Sequence, residues 1–235
     1  MGLESIHNNH KLLPEQAADS IVNIIVNGEF SKGDQLPNEF QLAQQLNVGR
    51  GTVREAMKIL VSRNVVEIRR GTGTFVADKP GVVEDPLGLT FINDKDKLAY
   101  DLCELRLILE PAIAAMAAER ATDSDIRKIE EACEAVEKRI AEGEAYSVED
   151  VAFHECIAKS SKNVVVPNVI PVIQSSVELF ILYTDAKLTA QTIHTHKAVT
   201  QAIKDKNPEK ARQAMVEHLI YNKEYIEKTT KERKK

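Results

Sequence analysis

The chain has 235 residues, enough for two domains and short for three. Its 43% hydrophobic and 29% charged residues exclude a disordered or fibrous chain, and a net charge of −5 argues against a protein that coats nucleic acid over its whole surface. Apolar runs such as Val164 to Val166 and Phe180 to Leu182 fall far short of the ~20 residues of a membrane span, so no membrane is expected among the partners.

The opening MGLESIHNNHKLLPEQ lacks a basic segment followed by an apolar core and does not read as a signal peptide. Pro14 to Asn27 carries Ala17, Ile21, Ile24 and Ile25 at helical spacing, and Gly28 and Gly33 frame the turn after it. In NEFQLAQQLNVG, Asn38 can cap a helix with Gln41 three residues on, and Leu42, Ala43 and Leu46 form its buried side. Asn47-Val48-Gly49 turns into a second helix, about Gly51 to Arg63, with Val53, Ala56, Met57 and Leu60 inward. VVEIRRGTGTFVAD follows, two β-branched stretches around Gly71 to Gly73, which is a hairpin signal. Lys79 to Asn93, with Pro80, Gly81, Pro86 and Gly88, reads as a linker.

From Asp94 onward the pattern is helical: Lys97–Ala121, Asp123–Gly143 capped by Thr122, Val148–Ser161, Asn168–Asp185, Thr189–Lys206 and Pro208–Lys231, with Pro111, Pro167 and Pro171 expected to kink or start helices. The expected architecture is mostly α, with two parts. Residues 1–78 form a winged helix-turn-helix of three helices and a hairpin wing, and residues 94–231 form an all-helical bundle, joined by 79–93. Cys103, Cys133 and Cys156 are scattered without a CxxC pair and are expected to be reduced thiols in helices, as in a cytoplasmic protein.

Charge is segregated along the chain. Between positions 50 and 70 lie Arg50, Arg54, Lys58, Arg63, Arg69 and Arg70 against only Glu55 and Glu67. A recognition helix presents long polar side chains from its first turns to base edges while nearby cations hold phosphates. Arg50 and Arg54 lie one turn apart on one face, and the arginine fork pairs bidentately with guanine O6 and N7. Thr52 offers a hydroxyl, Lys58 and Arg70 suit phosphates, and the Gly71-Thr72-Gly73 tip lets backbone approach a groove. An R-x-x-x-R pair alone is as well explained by a solvated face; the capped helix before it and the hairpin after it favour DNA.

The stretch LPNEFQLAQQLNVGRGTVREAMKILVSRNVVEIRRGTGTFV resembles the DNA-binding domain of the GntR family of bacterial repressors. With YDLCELRLILEP opening a helical bundle, the chain resembles the FadR-type branch and its FCD ligand domain, over about Leu12 to Glu227. The resemblance implies a homodimer on a short pseudo-palindromic operator, controlled by a metabolite, with DNA contacts at Arg50, Thr52, Arg54 and Gly73. Phe40 stands where family members often carry a DNA-contacting arginine, Gly51 replaces a commoner Thr or Pro, and Asn64 a commoner Gly. Asparagine tolerates the left-handed conformation, so the last change is the mildest.

Asp150 and His154 form a D-x-x-x-H pair whose i, i+4 spacing puts both on one helix face. His196 and His218 lie on later helices, and a bundle core can bring such groups together. Spacing of this kind is common by chance. The resemblance adds that many FCD domains carry this Asp/His pair and two later histidines, and that these bind metal; Zn, Ni, Fe or Mn suits such donors. His194, two residues from His196, should point elsewhere. Arg106 is expected to anchor a metabolite carboxylate, since the family's matching arginine faces the pocket; on spacing alone a surface salt bridge with Glu104 or Glu110 would do. Asn222 lies one turn beyond His218, and Gln174 and Ser175 are weaker pocket candidates. A metal-dependent enzyme is disfavoured because HExxH is absent and no general base is left once Asp150 ligates. The expected function is a DNA-binding transcription regulator controlled by a small organic acid, such as a hydroxy acid or a sugar acid.

Overall fold

A computed structural model describes residues 11–83, 85, 87–169 and 189–233. The chain is mostly helical and divides into two compact units, one running to Glu84 and the other from Asp85.

In the first unit α1 spans Leu13–Val26, α2 Glu39–Leu46 and α3 Arg50–Ser62. Asn38 caps α2 as expected: its side chain accepts from the backbone N–H of Gln41 at 3.0 Å, and the Gln41 side chain accepts from the Asn38 N–H in return. Asn47 ends α2 in the left-handed conformation, φ 52°, which sets the turn into α3. Ala18 and Ile21 from α1, Leu42 from α2 and Val53, Ala56 and Leu60 from α3 make the core. Burial of each Val, Leu or Ile side chain among them is worth about 1.5–3 kcal/mol. That core fixes the angle at which α3 presents its outer face.

The wing pairs β1, Val66–Arg69, with β2, Gly73–Val76, antiparallel from Val66↔Val76 to Arg69↔Gly73. Asn64 enters it in the left-handed conformation, φ 51°, which asparagine tolerates where the family commonly has glycine. Its amide also donates to the carbonyls of Lys79 and Val82, so the start of the expected linker folds back on this unit.

In the second unit α4 spans Lys95–Arg120, α5 Asp123–Glu142, α6 Ser147–Ser160, α7 Thr189–Lys204 and α8 Pro208–Arg233. Thr122 caps α5 as expected, accepting from the Asp125 N–H. Pro111 starts no helix, because α4 runs on through it, and it is buried. Pro167 lies in a short 3-10 helix, Val166–Val169. The expected helix Asn168–Asp185 lies, past residue 169, outside the described residues, as do Pro171, Gln174 and Ser175. The core runs from Ala114 and Ala118 through Ile129 and Phe153 to Val199, Ile203 and Leu219. Cys103, Cys133 and Cys156 are free thiols on α4, α5 and α6. No described helix is long and apolar enough to cross a membrane.

Candidate nucleic-acid interface and metal centre

The outer face of α3 begins with Arg50, whose N-cap is Gly49, and repeats one turn later at Arg54. Both arginines are exposed, while Thr52 is half-buried beside them. Arg54 is already engaged: its Nη2 and Nε lie 3.0–3.4 Å from the carboxylate of Glu39 on the first turn of α2. That pair holds the guanidinium across the two helices of the motif. Lys58 pairs with Glu55 at 2.8 Å, Arg69 with Glu67 at 2.7 Å, and Arg63 with Asp19 at 3.9 Å. Arg50 and Arg70 carry no ion pair among the described residues, which leaves their charges open to phosphate. Phe40 is 55% exposed at the start of α2, an apolar ring on the surface of the motif.

Gly73 has a structural duty that spacing does not reveal. Its φ is +140°, and a Cβ built on it would lie 2.4 Å from Nε2 of Gln35. That amide donates to the carbonyl of Thr72 at 2.8 Å, and Gln35 also bridges to Phe75. Gln35 thus staples the wing tip to the segment before α2, and only glycine leaves it room. Arg69 stacks on Phe75, 4.2 Å from the ring centroid, and stiffens the same hairpin.

In the second unit four helices bring polar groups into one interior site. His154 comes from α6, His196 from α7 and His218 from α8, all buried, and each offers a ring nitrogen within 4.8 Å of the others'. Asp150, one turn before His154, places Oδ1 3.5 Å from Nε2 of His196 and Oδ2 3.8 Å from Nε2 of His154. The mutual group is therefore the three histidines, with Asp150 against two of them. Both nitrogens of His196 are buried without a hydrogen-bond partner, although Phe153 stacks on its ring at 4.2 Å. Orphaned buried nitrogens are costly unless something else satisfies them. His194 is exposed, as expected.

Supporting groups bear on which nitrogen His154 and His218 turn inward. Thr195 spends its hydroxyl proton on backbone carbonyls of α7, so its Oγ1 accepts from Nδ1 of His218 at 2.9 Å and leaves Nε2 as the lone pair. The Asn222 amide approaches that Nε2 at 3.4 Å. Arg106 is 2% exposed on α4 and pairs with Glu110 one turn on. Glu110 was expected only as one partner in a surface ion pair; it is buried, because α4 is covered on several sides. Glu104, the other surface candidate, pairs instead with Lys223 at 2.9 Å. Oε2 of Glu110 lies 2.6 Å from Nδ1 of His154, close enough to hold the ring although off the line of its N–H. Glu110 and Thr195 are site residues that sequence reasoning missed. A carboxylate four residues beyond Arg106 was the available signal for the first, and nothing marked the second.

Burial pushes His196 and His218 well below the ordinary histidine value, and the neighbouring histidines and Arg106 push further the same way. Both rings are neutral at pH 7 and can offer lone pairs to a cation without first losing a proton. Burial raises Asp150 against the opposing pull of His154 and Arg106. Burial would raise Glu110 too, but Arg106 and His154 outweigh it and hold it far below the carboxylate range. Three imidazoles and an adjacent carboxylate are a donor set that suits a divalent transition metal.

These directions give a stability profile. The two histidines are lowered in the folded chain, so their contribution is complete above the unfolded value of about 6.5 and is lost as pH falls from there. In chelator, urea unfolding should weaken from pH 7.5 to 5.5, by up to about 1.4 kcal/mol per pH unit for each ring. Asp150, raised, works in the opposite sense at lower pH, and repeating the profile with Asp150→Asn removes that contribution. A flat profile in both chains would contradict the neutral, buried assignment.

Residues 13–76 match the bacterial regulatory proteins of the gntR family, and residues 101–220 match the FCD domain. The chain is 32% identical over 197 residues to the galactonate operon transcriptional repressor of Escherichia coli strain K12, covering 81% of this chain and 86% of that protein. It is 29% identical over 218 residues to the Uxu operon transcriptional regulator of the same strain, covering 87% and 83%. Among solved structures, a Streptococcus agalactiae GntR superposes with a TM-score of 0.79 at 39% identity, covering 90% of this chain and 99% of that one. The chain belongs to the gntR family of bacterial regulatory proteins, in the form that carries an FCD domain behind its winged helix-turn-helix, and it is a DNA-binding transcription regulator rather than an enzyme.

Proposed function

We propose that the chain is a cytoplasmic repressor that binds a pseudo-palindromic operator as a homodimer and lets go when a small carboxylate metabolite enters its second domain. DNA binding is assigned to residues 1–78, with Arg50, Thr52, Arg54 and Thr72 at the bases or groove, Lys58 and Arg70 on phosphates, and Gly73 shaping the wing tip. Residues 79–93 link it to the effector and dimerisation domain, residues 94–231. Asp150, His154, His196 and His218 would hold a zinc, nickel, iron or manganese ion. The ion would supply open coordination positions for the carboxylate and hydroxyl oxygens of the acid.

The observation that carries this reading is the buried convergence of three histidines with Arg106, whose Nη1 is also buried and unpartnered. A free guanidinium donor beside a metal-suited site is what a carboxylate needs for two-point recognition. Asn222, buried one turn beyond His218, would bond an acid's hydroxyl. Relatives named for the galactonate operon and, at 34% identity, for the L-lactate dehydrogenase operon support a sugar acid and a shorter hydroxy acid alike.

A thermal-shift screen of sugar acids and hydroxy acids tests this directly. An acid present at about 100 times its Kd adds roughly 2.7 kcal/mol of stability. That gain is expected with zinc or nickel present and absent with chelator. Equal stabilisation in both conditions would remove the metal from the effector site.

A further inference from the structure

We infer that in the metal-free chain the guanidinium of Arg106 takes the lone pair of His154 that a cation requires, so that metal uptake and release of Arg106 are one exchange. The inference rests on the metal-binding reading above and adds its order of events. Nη2 of Arg106 lies 3.1 Å from Nε2 of His154. A guanidinium has donors and no acceptor, so in this contact Nε2 is the acceptor and the ring proton belongs on Nδ1, which lies 2.6 Å from Oε2 of Glu110 but off the line of its N–H. This is the tautomer a metal ligand needs, with a carboxylate behind it.

One lone pair cannot both accept an N–H and coordinate an ion. An ion bonded to an imidazole nitrogen sits about 2.0–2.1 Å from it, in the space that Nη2 faces. Two cations at one buried nitrogen would also repel strongly. The arginine has somewhere to go without abandoning its counter-charge, because its Nε, not its Nη2, is what pairs with Oε1 of Glu110. Turning about that bond withdraws Nη2 from His154 while the ion pair persists. Nη1 is already without a partner, so withdrawal leaves both terminal nitrogens free. Two free donors on one fork accept a carboxylate bidentately. Metal loading thereby prepares the anion site, and Glu110 is the positioning residue that holds both His154 and Arg106 through the exchange.

The test is zinc titration of chelator-stripped protein against a chromophoric competitor. Arg106→Met combined with Glu110→Gln removes the competing cation and its counter-charge together and keeps a side chain of the same shape beside Nδ1 of His154. This double variant should bind zinc about tenfold tighter than the wild type, the loss of one charge-assisted hydrogen bond from the competing state. Glu110→Gln alone leaves Arg106 unopposed and should bind zinc more weakly than the wild type. A double variant no tighter than the wild type overturns the exchange. If the variants do not fold, the wild type decides: with 15N-arginine, one equivalent of zinc should shift the Nη signals of Arg106 and leave its Nε–H bonded to Glu110. Unmoved Nη signals overturn the inference as well. A wild type that binds no zinc would instead bring down the metal site itself.

Discussion

Arg54→Ala is expected to remove sequence-specific operator binding while leaving the winged unit folded. The Arg54 side chain is exposed on the outer face of α3, outside the Ala18, Ile21, Val53 and Leu60 core, and its Glu39 partner stays in water when it is gone. Exposed pairs of this kind contribute little to stability. On the proposed operator the same guanidinium would supply discrimination at one base pair, and the proposed homodimer would use it twice, so loss of specific affinity on the order of a hundredfold is expected. Footprinting with the unfolding midpoint measured alongside decides it: a retained footprint would sink the assignment of α3 as the reading helix. Glu39→Ala is the informative companion. It frees Arg54 and removes a negative charge from beside the outer face of α3, so affinity for any duplex should rise while discrimination between sequences falls.

The second large effect is at the interior site. His154→Ala with His196→Ala should take bound metal from about one per chain to background, read by plasma mass spectrometry after dialysis. If a four-ligand site holds its ion by some 12 kcal/mol, each ligand accounts for roughly 3, and losing two weakens binding about 10⁴-fold. The response to organic acids should vanish with the metal, whereas operator binding, carried by the other unit, should remain. Metal content that stays near one per chain would show that the ligand set is wrong.

Much of the first unit is legible in the sequence because its devices are local. The Asn38/Gln41 cap, the left-handed Asn47 and Asn64, and the glycine-tipped hairpin each act within a few residues, and their spacing carries their geometry. Gln35 was missed because its partner, Thr72, is 37 residues away, and a glutamine among turn residues carries no signature. In the second unit helix ends such as Thr122 before α5 were readable for the same reason. The histidine cluster rested on resemblance, since its members come from three helices and only Asp150 and His154 share one. Glu110 shows where sequence reading stops. On an amphipathic helix an Arg and a Glu four apart usually mark the wet face, but α4 also buries Leu102, Cys103, Ile113, Ala114 and Ala117 around its circumference. With no dry stripe to read against a wet one, an interior ion pair cannot be told from a surface pair until the neighbouring helices are in place.

The proposed switch is best measured on one preparation carried through three states: stripped with chelator, loaded with zinc, and loaded with zinc plus the sugar acid or hydroxy acid that stabilises the chain most. Fluorescence anisotropy against a duplex selected from a random pool reports affinity in each, at one fixed salt concentration because phosphate contacts make binding steeply salt-dependent. A coupling between sites of ordinary size predicts that the acid weakens operator binding about 5- to 150-fold in the zinc-loaded chain and does nothing in the stripped one. Operator affinity that ignores the acid in the zinc-loaded chain, or falls equally with and without the metal, would contradict it.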